Sequence, residues 1–561
     1  MRERPVLPLV YLLLLHLVFY FWSGPVMFVT DDLAYATIAE AIRNGTFELQ
    51  THVFYNRFGA TVVPALFYSW FGVNPYSTTA WSLICSLSLI SAVYWTGVRI
   101  FGLLSGFVAA LLVAVNPLHV VFAISIMTDG PLATFTFMSA AALYFGREAQ
   151  QPQSQIGWGL GFSILFTLAF VSKCSVLWAF PFMVGLMLYD LKSRRHVRLW
   201  ITISIAGTLL AVVYFGMYYM YTGEFLYRFS GVNKMLDQDQ PMNAMQMREY
   251  FINRPLIDYI ERLTYKPVLM FLSLPAIIVP MLFSWPAMIE PFRKARVLPA
   301  SVRFWALMAW SILLFFWFGS NSSQYYTPYS LSDYYLLPLT PFLCFLAGVT
   351  IAQLVERSGA EAGMKRLLWS VIAVALVMLP VQKWLNFEKF AIVFTLAPLL
   401  GLVVLRWLAS RLHWEKGVVA GVTIALIATL YPLNSALPIA RKQIGESENL
   451  HAERVLVQKY LKNRSEPLTV VTDGRTLKAL RYYLGFQVPE TMQLINWSAE
   501  QPESAIHKRV LYFVNRNRLN AIQGTYQRAV PDFILKPPAR WRLLEVDQGV
   551  SVYETDSANH G

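Results

Sequence analysis

Charged residues are scarce in this chain. Asp, Glu, Lys and Arg make up 14% of its 561 residues, whereas hydrophobic residues make up 56% and aromatic residues 15%. A typical soluble domain has about 25% charged residues, so this composition excludes an ordinary soluble globular protein. A polytopic α-helical membrane protein is the interpretation that fits so little charge over this length.

Cysteine is also scarce, and its spacing excludes a cysteine metal site. The three cysteines, Cys85, Cys174 and Cys344, lie in or beside apolar segments and are far apart in the sequence. Metal sites built from cysteine need ligands in close pairs, and these residues form none. We therefore interpret all three as packing residues of apolar helices.

The formal net charge of +13 does not indicate nucleic acid binding. Much of the Lys and Arg lies in short loops between apolar runs, where positive charge reports the orientation of the chain in a membrane. We expect membrane lipids around the chain and no nucleic acid partner.

Apolar runs long enough to cross a bilayer recur along the first 440 residues. We predict about thirteen transmembrane helices, at approximately residues 6–28, 76–98, 103–124, 130–146, 157–172, 174–190, 199–221, 267–288, 303–320, 334–354, 367–384, 388–406 and 418–438. The first run is too long for a signal-peptide core and lacks a small-residue cleavage site, so we expect it to be retained. If the N-terminus is cytoplasmic, the basic residues fall in the even-numbered, cytoplasmic connections, as the positive-inside rule requires.

Three segments outside the predicted spans are too long for simple turns, and the odd span count places all three on the outer side. Residues 29–75 are apolar and aromatic, which is typical of short interfacial helices. Residues 222–266 interleave charges with aromatic residues and predict a structured lid. Residues 441–561 have the composition of a soluble protein, so we divide the chain into a transmembrane domain, 1–440, and a soluble domain.

The soluble tail shows strand and helix patterns. Residues 468–472 and 510–514 predict buried strands, and residues 475–484 between them have helical periodicity. This order predicts a small extracytoplasmic α/β domain.

Three aspartates stand where apolar runs should leave the membrane. Asp31 and Asp32 follow the first run, and Asp129 precedes Gly130-Pro131 between two later runs. Charges so close to a bilayer are costly unless they are solvated or partnered. Helix capping is the alternative role for Asp31 and for Asp129. Both sites face the outer side in the predicted topology, so we expect the carboxylates to converge and share a substrate hydroxyl, a divalent cation or both.

Two cations are expected on the same face. Arg57 lies in the outer segment that contains the acidic pair, and Lys173 falls at a predicted outer helix end. Snorkelling to the interface is the ordinary alternative for each. Arginine offers a planar fork for phosphate oxygens and lysine a compact charge. A carboxylate that takes the acceptor's proton, with cations that hold the charge of a departing phosphate, is typical of transfer from a phosphate-linked donor.

The motifs around these residues resemble the GT-C membrane glycosyltransferases. Asp31 and Asp32 followed by Tyr35 are similar to the first outer loop of those enzymes. The Asn-Pro pair at 116–117, followed by Asp129, is similar to their second outer loop.

The resemblance extends toward the C-terminus. Asp333, Tyr334 and Tyr335 resemble the tyrosine-rich start of a later helix in those enzymes. In order and topology, the motifs are similar to those of the bacterial aminoarabinose transferases and, more broadly, of the protein O-mannosyltransferases.

The resemblance implies an enzyme that moves a hexosyl or pentosyl group from a polyprenyl phosphate to a lipid, glycan or protein acceptor, usually with inversion. It implies that the reaction occurs on the outer, periplasmic face of the inner membrane, with Asp31 as base or acceptor ligand. Asp32 and Asp129 belong to the same implied catalytic centre. The expected substrate-binding residues are Tyr35, Arg57, Lys173, Asp333, Tyr334 and Tyr335, with a cation from the 222–266 loop assisting.

The sequence departs from the family pattern at two positions. The second acidic position holds Asp32 instead of Glu, and Asn56-Arg57-Phe58 stands where aminoarabinose transferases have Glu-Lys-Pro. Arg57 would then replace that lysine as the phosphate ligand, while sugar and acceptor stay open.

The rival functions are a transporter or flippase of a lipid-linked substrate and a noncatalytic assembly protein. Clustering of the acidic residues toward one face and the lack of an inverted repeat favour the enzyme over the transporter.

Overall fold

The computed structural model is mostly helical, with one small β-sheet. It describes residues 6–25, 27, 31–50, 52–230, 257, 260–261, 275–293, 298–320, 333–356, 372, 452–462, 466–497, 509–516, 519 and 530–556. The chain divides into two compact units. The first contains Met1–Gly24, Leu49–Ala60 and Ser82–Ile439, and the second contains Pro25–Glu48, Thr61–Trp81 and Ala440–Gly561.

Most of the helices follow the apolar runs of the sequence. In chain order they are α1 (Val6–Ser23), α2 (Asp31–Arg43), α3 (Phe58–Phe71), α4 (Pro75–Phe101), α5 (Leu103–Ala114), α6 (Pro117–Ala123), α7 (Asp129–Glu148), α8 (Pro152–Ser172), α9 (Phe180–Lys192), α10 (Val197–Thr222), α11 (Pro275–Met288), α12 (Val302–Phe318), α13 (Thr340–Glu356), α14 (Gly474–Tyr483) and α15 (Asp532–Leu535). Short 3₁₀ turns at Val53–Asn56, Cys174–Ala179, Glu290–Phe292 and Asp333–Leu336 link some of them.

Within the described residues, five helical segments are long and apolar enough to cross a membrane: α1, α4, α8, Cys174–Lys192 and α10. The bent pair α5–α6 raises this number to six. Helices α11, α12 and α13 are apolar but shorter, and they coincide with parts of three further predicted spans. The predicted spans 367–384, 388–406 and 418–438 lie outside the described residues, so the total of thirteen stays a prediction.

The predicted span 103–124 is not one straight helix, because it bends by 63° between α5 and α6. The side chain of Asn116 accepts hydrogen bonds from the backbone N–H groups of Leu118 and His119, at 3.0 and 3.3 Å. Pro117, the first residue of α6, has no backbone N–H to continue the preceding helix. The Asn-Pro pair therefore ends one helix and begins the next within the same apolar run.

An aromatic cluster in the first unit fixes α7 against α12 and α13. The ring of Trp305 on α12 is fully buried, and its centroid lies 5.4 Å from that of Phe137 on α7 and 4.6 Å from that of Phe345 on α13. Aromatic rings at these separations add to the free energy gained from burial. The first turn of α7, which contains Asp129, is thereby attached to a packed helical core.

The sheet of the second unit has five strands in the order β2-β1-β3-β5-β4. Strands β1 (Leu468–Thr472), β2 (Met492–Asn496) and β3 (Arg509–Asn515) are parallel, and β4 (Arg542–Asp547) and β5 (Val550–Asp556) pair antiparallel. The two predicted strands and the predicted helix are confirmed as β1, β3 and α14. Every residue of β1 is buried, as expected of an inner parallel strand.

Hydrogen-bonded hydroxyl groups join α3, the start of α4 and α14 within the second unit. The Thr78 hydroxyl donates to the backbone oxygen of Asn74, at 2.7 Å. Because that hydroxyl has one proton, Tyr68 and Tyr482 must donate to Thr78 Oγ1, at 3.0 and 2.8 Å. Helix α2 also packs against α14, so Pro25–Glu48 and the tail domain belong to one compact unit.

Candidate active site

Asp129 begins α7 and is buried, with a relative exposure of 1%. One carboxylate oxygen accepts a hydrogen bond from the Lys173 ammonium at 2.8 Å, and the other accepts one from the Thr128 hydroxyl at 3.3 Å. Thr128 occupies the N-cap position of α7, and its side chain makes no capping bond. The carboxylate of Asp129 thus forms an ion pair, which the capping alternative does not explain.

Lys173 connects the end of α8 to the next 3₁₀ turn. Its backbone is extended and its side chain is 7% exposed, so the ammonium is almost removed from solvent. Besides Asp129, the ammonium lies 4.3 Å from the centre of the Tyr335 ring. A carboxylate and an aromatic face together offset the cost of burying the lysine ammonium. A snorkelling lysine would instead keep its ammonium in water, so the snorkelling alternative does not describe Lys173.

The tyrosine-rich motif contributes Tyr335 to this cluster. Asp333, Tyr334 and Tyr335 all belong to the 3₁₀ turn Asp333–Leu336. Tyr335 contacts Lys173, which ties the turn before α13 to the end of α8. The side chains of Asp333 and Tyr334 lie outside the described part of the chain, so their substrate-binding roles stay predictions.

Arg57 lies between the 3₁₀ turn Val53–Asn56 and α3. Its guanidinium carbon is 5.2 Å from the centre of the Phe54 ring, and its charge is close enough to act electrostatically on Lys173. Arg57, Lys173 and Asp129 together carry a net positive charge. Two cations beside a single carboxylate make this end of α8 suitable for an anion.

A glycine brings Arg57 close to Lys173. Gly59, two residues after Arg57, packs directly on Ser172, the residue before Lys173. A Cβ atom at position 59 would lie 2.8 Å from both the backbone nitrogen and the Cα of Ser172, a distance that real Cβ atoms do not adopt. Only glycine allows the start of α3 to approach the end of α8 this closely.

Asp31, Asp32 and Tyr35 lie on α2 in the second unit. Asp32 and Tyr35 are fully buried, whereas Asp31 is partly exposed in the first turn of the helix. Near the other end of α2, Glu40 accepts hydrogen bonds from Arg43 and Asn44. Asp31 and Asp129 belong to different units, and their convergence stays a prediction.

The described residues contain no group of three or more His, Cys, Asp or Glu side chains placed to hold a metal ion. In the first unit, the Asp129 carboxylate is bound by a lysine, which takes a position that a cation would otherwise occupy. The described part of the cluster therefore fits an anionic group of the substrate better than a metal ion.

Sequence reasoning identified Asp129, Lys173, Arg57 and Tyr335, all of which the structure brings into one region. It missed Gly59, although a glycine in the first turn of a helix, two residues after a candidate ligand, was a usable signal. It also predicted that a cation of the 222–266 loop would assist at the phosphate. Arg228, the basic residue of that loop within the described residues, donates to protein oxygens. The other basic residues of the loop lie outside the described residues, so the assisting cation stays a prediction.

Comparison with known proteins supports the resemblance stated from the sequence. The family model described as dolichyl-phosphate-mannose-protein mannosyltransferase matches residues 59–219, a stretch that contains both Gly59 and Lys173. A search of curated protein sequences finds no significant match.

Two solved structures have the same fold. One is ArnT from Cupriavidus metallidurans in the apo state, with 18% identity, coverage of 98% of each chain and a TM-score of 0.57. The other is the same protein bound to undecaprenyl phosphate, with 16% identity, coverage of 97% of each chain and a TM-score of 0.58. The predicted resemblance to GT-C glycosyltransferases is thus confirmed as a likeness of fold, which is all that structures at these identities show.

Proposed function

We propose that this protein transfers a sugar from a polyprenyl phosphate to an acceptor hydroxyl at the outer face of the inner membrane. The observation that carries the proposal is the buried ion pair between Lys173 and Asp129, beside Arg57, at the end of an apolar helix. A lipid-linked phosphate enters from the bilayer, so cations at the end of a membrane helix are placed to meet it.

Each cation has its own task in the proposed reaction. The departing group is a polyprenyl phosphate, whose negative charge grows as the bond to the sugar breaks. Arg57 holds two phosphate oxygens with its planar fork, and Lys173 supplies a compact charge. Asp129 holds the Lys173 ammonium in place, so we assign it a positioning role. Preorganised cations lower the barrier where charge develops in the transition state.

The acceptor side of the reaction needs a base. Asp31 begins α2, is partly exposed, and is the candidate that accepts the hydroxyl proton. The acceptor oxygen attacks the anomeric carbon from the face opposite the phosphate, and the carbon–oxygen bond to the phosphate breaks, which inverts the configuration. Asp32 and Tyr35, both buried on the same helix, support the position of Asp31.

The tail domain is proposed to help form the acceptor site. It packs on α2 through α14, and the Tyr482 hydroxyl bonds Thr78 at the start of α4 in the same unit. In the proposed orientation the N-terminus is cytoplasmic and residues 441–561 are periplasmic. A lipid, glycan or protein acceptor would then approach from the periplasm.

Labelled sugar on undecaprenyl phosphate tests this function in the purified protein. The wild type should release undecaprenyl phosphate and pass label to an acceptor or to water. Asp31→Asn keeps the shape of the side chain but removes the base, so turnover should fall on the order of 10²–10⁴-fold. Glu48→Gln, a neighbouring carboxylate outside α2, is the matched control and should keep its turnover.

Two results would contradict the proposal. A folded Asp31→Asn protein with near-normal turnover would remove Asp31 as the base. A wild-type protein that moves labelled lipid across vesicle membranes without releasing sugar would identify a transporter.

A further inference from the structure

Arg228 is a buried arginine behind the proposed phosphate ligands. Its side chain is shielded, with 4% of the residue exposed. One terminal nitrogen donates to the backbone oxygen of Asn56 at 2.7 Å and to the Tyr214 hydroxyl, and the other donates to the backbone oxygen of Phe170 at 2.6 Å. The guanidinium also packs on the rings of Phe170 and Tyr214, at 4.7 and 5.5 Å from their centres.

The two backbone oxygens belong to the segments that carry Arg57 and Lys173. The Asn56 oxygen is the carbonyl of the peptide bond that leads into Arg57. The Phe170 oxygen is in the last turn of α8, three residues before Lys173, where helix carbonyls lack partners within the helix. Arg228 therefore bonds the chain next to one proposed ligand to the chain next to the other.

We propose that Arg228 is a positioning residue that sets the separation of Arg57 and Lys173 for one donor phosphate. This inference rests on the proposed function, in which those two cations bind the phosphate. Arg228 does not bind the phosphate, because its guanidinium is buried, aromatic rings cover it and three of its N–H groups are bound to protein oxygens.

The geometry requires arginine at this position. A planar guanidinium can donate to three oxygens in different directions while it stacks on two rings, whereas a lysine ammonium has three donors on one atom and no flat surface. Arg228→Lys preserves the charge but loses part of the clamp. If the role of Arg228 were only its positive charge, Arg228→Lys would behave like the wild type.

Affinity for undecaprenyl phosphate, measured in the detergent-solubilised full chain, tests the inference. Arg228→Lys should weaken binding about 10-fold, which corresponds to the loss of one or two hydrogen bonds. Tyr214→Phe removes one oxygen acceptor of the clamp, keeps its ring, and should weaken binding about threefold. Tyr214→Phe is also the milder variant if Arg228→Lys folds poorly.

A double variant separates positioning from general destabilisation. If Arg228 acts through Arg57, the Arg228→Lys change should have little further effect on affinity in the Arg57→Ala background. Arg147→Lys is the matched control. Arg147 is a part-buried arginine whose two bonds to Asp190, both at 2.8 Å, lie at the opposite end of α7 from Asp129. That variant should lose thermal stability without losing phosphate affinity.

The affinities of these variants distinguish failure of the positioning role from failure of the phosphate site. Wild-type affinity in Arg228→Lys and Tyr214→Phe, with a loss in Arg57→Ala, would overturn the inference and leave the phosphate site intact. Losses that multiply in the double variant would also overturn it, because Arg228 would then act independently of Arg57. Unchanged affinity in Arg57→Ala would remove the phosphate site and the positioning role together.

Discussion

The Lys173 ammonium shows how one side chain can serve both stability and binding. Removing a charge from water costs several kcal/mol, and a counter-ion at good geometry offsets much of that free energy. Asp129 at 2.8 Å and the face of Tyr335 at 4.3 Å provide this compensation. The same ammonium is proposed to meet a phosphate, so its structural and functional contributions must be separated by experiment.

Asp129→Asn should lower the free energy of unfolding by about 3–5 kcal/mol, because it removes the carboxylate that binds a buried ammonium at 2.8 Å. Adding Lys173→Met removes the buried positive charge and should restore much of that stability. The double variant should still bind undecaprenyl phosphate poorly, since methionine cannot replace a cation. Thermal unfolding and phosphate binding, measured on both proteins, check the prediction. A double variant with wild-type affinity would make Lys173 purely structural.

At the level of elements, local patterns in the sequence predicted local structure well. Residues 468–472 match β1 in full, because an inner parallel strand is a continuous apolar run bounded by polar residues. The edge strand β2 was not predicted, since only two of its five residues are buried and its pattern is weak. The bend between α5 and α6 was not predicted, because mean hydropathy over the whole apolar run hides the capping residue Asn116 and the following Pro117.

Long-range partners could not be predicted from one sequence. The sequence indicated that Asp129 and Lys173 are candidate site residues, but they are 44 residues apart and nothing local pairs them. Arg228 and Asn56 are 172 residues apart, and the acceptor is a backbone oxygen that any residue type would supply. Residue identity thus selected the candidate residues, whereas the helix packing determines which of them meet.

Tyr482→Phe tests the connection between α14 and the outer segment. The substitution removes one donor to Thr78 Oγ1 and should cost about 0.5–1.5 kcal/mol, because the other hydrogen bonds of Thr78 remain. Amide hydrogen exchange in α2 and α14 should become faster, since these helices pack together in one unit. Tyr483→Phe removes the neighbouring hydroxyl and should leave the exchange of α2 unchanged. Equal exchange in both variants would show that the Tyr482 hydroxyl does not stabilise this unit.

At the scale of the whole molecule, two of the helices long enough to cross a membrane have little protein around them. Only 17% of the most apolar stretch of α10 and 22% of that of α1 are buried, and large apolar side chains such as Leu209 are exposed. Such surfaces would aggregate in water, but they suit contact with lipid chains. The tail sheet differs, because its strands β1 and β3 are almost wholly buried by the domain itself, while the ion pair between Arg509 and Glu466 lies at its surface.

The tail domain has a buried carboxyl group beside the carboxyl ends of the neighbouring strands β1 and β3. Asp473 follows β1 and Asn515 ends β3. The two strands are neighbours in the sheet, but between them in sequence the chain forms β2, which pairs with the opposite edge of β1. Glu453 lies between these two residues and accepts hydrogen bonds from the Asn515 amide at 2.9 Å and from the Thr476 hydroxyl at 3.2 Å. Burial raises the pKa of Glu453 to about 7, and the nearby charge of Asp473 adds to the increase.

The raised pKa of Glu453 predicts how the stability of the tail domain depends on pH. The folded state holds the proton more tightly than the unfolded chain, so the free energy of unfolding should fall as the pH rises from the ordinary pKa of 4.5 to about 7. Glu453→Gln cannot ionise, so it should abolish this decline and be more stable than the wild type above about pH 8. Glu466→Gln, at an exposed glutamate, should keep the wild-type slope. Hydrogen-exchange protection of β1 and β3 at several pH values measures the effect, and an equal decline in Glu453→Gln would assign it to another group.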